Sequence, residues 1–159
     1  MSVEQIIRFV PISDLLSTSG QPSEAQIAEL AAAGYEHVIN LALHDDPRYS
    51  LPDEPGAVRA AGMTYCHIPV PFAAPSATDF ERFCAEMRAC AHRKTLLHCA
   101  HNKRVSVFLA LFRILDLGWV RADAVTAMQA VWQPDVTWQS FLDRTLVKAG
   151  ASEEHDRTA

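Results

Sequence analysis

The chain has 159 residues, 49% hydrophobic and 21% charged, with a formal net charge of −5. That length predicts one domain with a substantial core, and the acidic balance argues against nucleic acid as a partner. No stretch reaches the length of a transmembrane helix, and Met1–Gln5 lacks the basic region and apolar run of a signal peptide, so the expectation is a cytoplasmic protein without membrane contact.

Taken in order, Ile6 to Val10 predicts an edge strand. Leu15 to Pro22 predicts a short strand running into a turn, with Ser19-Gly20-Gln21-Pro22 read as a plain helix entry. Ser23 opens a helix with Gln26 closing a capping box, Ile27, Leu30 and Ala31 on the buried stripe and Gly34 as the stop. His37 to Leu43 reads as a central strand, followed by the polar loop His44 to Tyr49. Asp53 caps a short helix with Pro55 in its first turn, and Thr64 to Ile68 is the next strand. Pro69, Pro71 and Pro75 force 69–76 into an extended loop. Thr78, with Glu81, caps a helix whose Phe80, Phe83, Cys84 and Met87 share one face.

Thr95-Leu96-Leu97 then reads as a buried strand, and Val107 to Leu115 as a buried helix. Between them lies His98-Cys99-Ala100-His101-Asn102-Lys103-Arg104-Val105-Ser106. A loop between strand and helix presents backbone N–H groups and a helix N-terminus, both of which favour an anion and stabilise a cysteine thiolate. Arg104 adds a planar fork suited to phosphate or sulfate oxygens. Arg93, Lys94, Lys103 and Arg104 are read as a basic cluster around this loop. Beyond Gly118, Ala122 to Trp132 predicts a helix, and Thr137 caps a last one carrying Trp138, Phe141, Leu142 and Leu146. Residues 1–148 form the expected domain, with 149–159 a polar, frayed tail.

The alternation predicts an α/β fold with a central, mostly parallel sheet of four to five strands flanked by helices. Ligands in such sheets sit at the carboxyl ends of the strands, so the loops 44–49 and 69–76 should wall a pocket beside Cys99. Cys66, Cys84 and Cys90 are read as core or surface residues; the four cysteines form no CxxC and no disulfide framework. His98, Cys99 and His101 lack a second ligand pair, so neither metal nor cofactor is expected.

His-Cys, a short loop, Arg and then a hydroxyl residue resembles the signature of cysteine-dependent protein-tyrosine and dual-specificity phosphatases. Ser19 to Pro22 resembles a small bacterial branch of that family, the beta-lactamase-hydrolase-like phosphatase domain. The resemblance covers about Ile6 to Trp138. It implies that Cys99 is the nucleophile, Arg104 the phosphate clamp, Ser106 an aid to cysteine departure and His98 an orienting residue. Ala100, His101, Asn102 and Lys103 would line the anion site, and the substrate would be a phosphorylated small molecule or phosphoprotein, with an aryl phosphate such as phosphotyrosine favoured.

Two departures keep alternatives open. The family has five residues between Cys and Arg, whereas this chain has four. Counted from Cys99, Val105 falls where the Arg belongs, so either the loop is shorter or Arg104 is rotated by about 100° on its helix. Four-residue loops also resemble rhodanese-type sulfurtransferases. Phe72 stands where the proline pattern of the preceding loop places a catalytic Asp, which leaves Asp79, or else Asp45 or Asp46, as the general acid. Without an acid, an oxyanion-binding module that has lost turnover is the remaining reading.

Overall fold

The structure, a computed structural model, describes the backbone of residues 2–158 and the side chains of residues 2–150. After a 3-10 turn at Val3–Gln5 come β1 (Val10–Ser13), β2 (Leu16–Ser19), α1 (Glu24–Ala32), β3 (His37–Asn40), α2 (Glu54–Ala60) and β4 (Thr64–His67). Then follow α3 (Ala77–Ala89), β5 (Thr95–His98), α4 (Lys103–Leu115), α5 (Arg121–Gln129) and α6 (Val136–Thr158). The sheet order is β1-β2-β5-β3-β4, with β1 antiparallel to β2 and the other pairs parallel. This is the expected α/β architecture with a five-stranded, mostly parallel sheet.

Neighbouring residues of a strand point to opposite faces, and both faces of this sheet are covered. Val38 and Leu96 join Ile27 and Leu30 of α1 and Val58 of α2 in one core. Ile39 and Leu97 join Phe83, Phe108, Trp138 and Phe141 from α3, α4 and α6 in the other. Helix α4 is buried along most of its length, as the apolar run after Ser106 requires.

Several boundaries move. The edge strand is Val10–Ser13, not residues 6–10: the 3-10 turn occupies 3–5, and buried Ile6 packs on the α1 side. The capping box at Ser23 and Gln26 forms as predicted, and Asp53 accepts from the Gly56 amide. Helix α3 begins earlier than expected, because Ser76 rather than Thr78 accepts the Asp79 amide. At α6 the Asp135 carboxylate accepts the Trp138 amide at 2.9 Å, taking the capping role assigned to Thr137. The helix continues to Thr158, through most of the stretch read as a frayed tail; side chains beyond 150 lie outside the described residues. No described helix is long and apolar enough to cross a membrane.

Candidate active site

Strand β5 ends at His98 and α4 begins at Lys103, so Cys99 to Asn102 form the whole turn. Asn102 makes that turn possible. Its backbone is left-handed, with φ 65°, a conformation Asn tolerates better than most residues. Its side-chain amide donates to Arg8 O at 2.9 Å and Thr18 Oγ1 at 3.0 Å, anchoring the loop to β2. The amides of Ala100, His101, Lys103, Arg104 and Val105 make no backbone hydrogen bond among the described residues. Unpaired donors at a helix N-terminus are the material of an anion cradle.

Cys99 is 1% exposed at the base of this loop. Arg104 is 8% exposed and lies on the first turn of α4. Its Nη1 donates to Val70 O at 2.9 Å, and its guanidinium carbon lies 5.7 Å from the Phe72 ring centroid. That bond fixes the side chain, yet its Nε is buried without a partner. A buried guanidinium donor left unmatched is costly unless a ligand accepts from it. Arg104 thus points toward the loop that follows β4, and lines a cleft of about 220 Å³ with Ala42, Leu43, Asp45, Tyr49, Phe72 and Ala100, among others. The two walls are those expected from the loops 44–49 and 69–76.

The other predicted residues divide. His101 sits at the rim, its ring edge-on to Tyr49 at 4.6 Å. Burial, helped by the charges of Lys103, Arg8 and Arg104, lowers its pKa. Lys103 lies over the Trp132 ring, 5.2 Å from its centroid. The Ser106 hydroxyl donates to Lys103 O at 2.6 Å and accepts from Trp132 Nε1 at 2.9 Å, so its bonds run along α4 and to Trp132. Asp79 sits in the first turn of α3 and does not line the cleft; Asp45 and Asp46 do. The Asp46 carboxylate is bound by Arg48 Nε and Nη2, and those bonds hold its pKa below the usual range. Arg93 and Lys94 belong elsewhere. They precede β5 at the end opposite Cys99, where Arg93 bonds Thr64 and Lys94 bonds Ala33 O. A four-residue strand separates its ends by roughly 10–13 Å, so only Lys103 and Arg104 of the expected basic cluster flank the loop.

Two features went unpredicted. Glu54, at the first position of α2, is 1% exposed and accepts from His98 Nε2 at 2.7 Å; His98 is itself fully buried. Burial pushes the Glu54 carboxyl up, but the charge and hydrogen bond of His98 and the bond from Gln21 outweigh it, holding the pKa down at about 2. The other ring nitrogen of His98 lies 3.1 Å from Cys99 O, so the pair braces the base of the loop. The second feature is the 19–22 turn, which is more than a helix entry. Gln21 N donates to Ala100 O at 3.0 Å, and Gln21 Nε2 donates to Glu54 at 2.5 Å. A Cβ on Gly20 would lie 2.5 Å from Ala100 O, so only glycine lets the turn approach this closely.

A parallel sheet, a cysteine at a strand's carboxyl end and an arginine on the following helix define a phosphatase-like protein of the protein-tyrosine and dual-specificity fold. Similarity to known proteins agrees. Residues 7–116 match the family described as beta-lactamase hydrolase-like protein, phosphatase-like domain, and the chain belongs to that family. It is 30% identical over 128 residues to a beta-lactamase hydrolase-like protein of Xylella fastidiosa (strain 9a5c), covering 77% of this chain and 28% of the relative. The corresponding protein of Agrobacterium fabrum (strain C58 / ATCC 33970) is 31% identical over 123 residues, 74% of this chain and 27% of the relative. The chain thus spans less than a third of the length of these relatives. Among solved structures, a Shewanella putrefaciens CN-32 phosphatase candidate (DUF442) superposes with a TM-score of 0.80 at 32% identity, covering 92% of this chain and 96% of that one. P. aeruginosa TpbA, solved in complex with pTyr, superposes at a TM-score of 0.63 and 21% identity, covering 77% and 72% of the two chains; it shares the fold.

Proposed function

We propose that the cleft lined by Ala100 and Arg104, beside Cys99 in the same loop, is the active site of a cysteine-dependent phosphatase acting on phosphomonoesters. The observation that carries this reading is Arg104, pinned to Val70 O by one nitrogen while its buried Nε stays unmatched beside a loop of free amides. Donors so arranged suit the equatorial oxygens of a transferring phosphoryl group. The Cys99 thiolate attacks phosphorus, the ester P–O bond breaks and the leaving oxygen takes a proton. Water then cleaves the Cys99–phosphorus bond and releases phosphate. His98 and Glu54 position the loop rather than touch substrate.

The acid's role passes to Asp45, which lines the cleft as Asp79 does not. Asp46 is a poorer donor, because Arg48 holds it ionised. The cleft lies below the roughly 300 Å³ at which typical small-molecule pockets begin, so it accepts the phosphoryl group and leaves most of the substrate outside. Tyr49 and Phe72 offer aromatic surface at its mouth, which favours an aryl ester.

One observation favours a second reading, sulfur transfer. The turn has only four residues between Cys99 and Arg104, and the Phe72 ring lies against the Arg104 guanidinium in the small cleft beside it. A single sulfane sulfur needs less room than a phosphoryl group. In that case thiosulfate would give its outer sulfur to the Cys99 thiolate, releasing sulfite, and cyanide would accept it. Parallel assays with an aryl phosphate and with thiosulfate plus cyanide distinguish the two. Phosphatase turnover that vanishes in Cys99→Ser and falls in Asp45→Asn supports the first reading. Cys99-dependent thiocyanate formation without phosphate release replaces it with the second.

A further inference from the structure

Far from Cys99, where β3 and β4 begin, three side chains of different chemistry converge. His37 Nε2, a Glu86 carboxylate oxygen and Cys90 Sγ all lie within 4.8 Å of one another, and His37 and Cys90 are buried. Glu86 and Cys90 are four residues apart at the end of α3, which places them on one face. His37 comes from the neighbouring strand β3, its Nε2 2.7 Å from Glu86.

The surroundings orient the ring. His37 Nδ1 lies 2.6 Å from Thr64 Oγ1, and that oxygen also accepts from Arg93 Nη2 at 2.6 Å. Histidine metal ligands are held in this way, with the outer nitrogen fixed by a hydrogen bond and the inner one presented.

We propose that His37, Glu86 and Cys90, with water as the fourth ligand, bind a zinc-class divalent ion that fastens the end of α3 to the start of β3 in the sheet. The mixture of imidazole, carboxylate and thiolate suits zinc rather than calcium or magnesium, which take oxygen ligands. Tetrahedral zinc places its ligand atoms about 3.5 Å apart. The trio meets that spacing with a short outward movement of Glu86, whose side chain is partly exposed. On binding, the Cys90 thiol loses its proton to solvent and forms a metal–sulfur bond, with no change of oxidation state. The site is independent of the chemistry at Cys99.

Cobalt(II) titration of the full chain, reduced with a phosphine, tests the proposal, because a cobalt–thiolate bond absorbs in the near ultraviolet. The expected result is a stoichiometric rise in that absorption, kept in Cys99→Ser and strongly reduced in Cys90→Ser. Zinc should displace the cobalt and raise Tm. Glu86→Gln, at a partly exposed position, serves where Cys90→Ser folds poorly, and should weaken zinc binding by roughly 10–100-fold. Absence of the thiolate absorption overturns the site. Absorption that survives Cys90→Ser but disappears in Cys99→Ser also overturns it, by placing the metal in the loop.

Discussion

Replacing Glu54 by Gln removes the only carboxylate that faces His98 among the described residues while keeping the side chain's shape. The folded protein holds the Glu54 carboxyl at about 2 against an ordinary 4.5. A depression of that size corresponds to roughly 3 kcal/mol of stability at neutral pH. Because the folded value lies below the unfolded one, this contribution is complete above pH 4.5 and is lost as pH falls through about 2. Loss of one partner from a buried pair independently suggests about 3–5 kcal/mol. For a chain of this length, 3 kcal/mol lowers Tm by about 10 °C. Urea unfolding followed by tryptophan fluorescence, repeated between pH 7 and pH 2, provides the assay. The wild type should lose stability steeply below pH 4.5 and Glu54→Gln much less, so that the two curves converge in acid. A constant offset between them, or a difference at pH 7 below about 1 kcal/mol, refutes the pair as a stabilising element.

Three further substitutions probe the loop. Asn102→Gly keeps the left-handed turn and loses two side-chain hydrogen bonds, for about 2 kcal/mol, whereas Asn102→Ala adds about 1 kcal/mol of backbone strain; equal Tm values for the two variants would contradict that division. Gly20→Ala drives a Cβ into Ala100 O and Ile7 Cγ2, and should cost about 1–3 kcal/mol and lower activity, as thermal melts and aryl-phosphate assays would show. Arg104→Lys keeps the charge but loses the fork and the bond to Val70 O, and should reduce kcat/KM by roughly 10–100-fold; unchanged kinetics would separate Arg104 from the reacting anion.

Much of this arrangement is visible in the sequence because it follows from local chemistry. The apolar runs around His98–Ser106 can only be buried as a strand and a helix, so the turn between them is determined. The prolines of 69–76 likewise determine an extended wall. What the sequence hides is long-range pairing. Glu54 reads as an ordinary first-turn acid of a short helix, and only the approach of α2 to the end of β5 shows that it lies against His98. The 19–22 turn reads as a helix entry because its contact with Ala100 crosses about eighty residues of chain. Arg93 and Lys94 lie close to Cys99 in sequence, and the extended strand between them carries them to the other end of the sheet. The His37, Glu86 and Cys90 group has no recognisable spacing, since a strand and a helix about fifty residues further along the chain supply it.

The central claim is that Cys99 carries the phosphoryl group. Rapid acid quench of the protein with a labelled aryl phosphate, followed by peptide mass spectrometry, measures this directly. A phosphoryl adduct on Cys99, present in the wild type, absent in Cys99→Ser and prolonged when water's access to the cleft is reduced, is the predicted result. An unmodified Cys99 during aryl-phosphate turnover, or a Cys99 that takes up only a sulfur atom from thiosulfate, would contradict it.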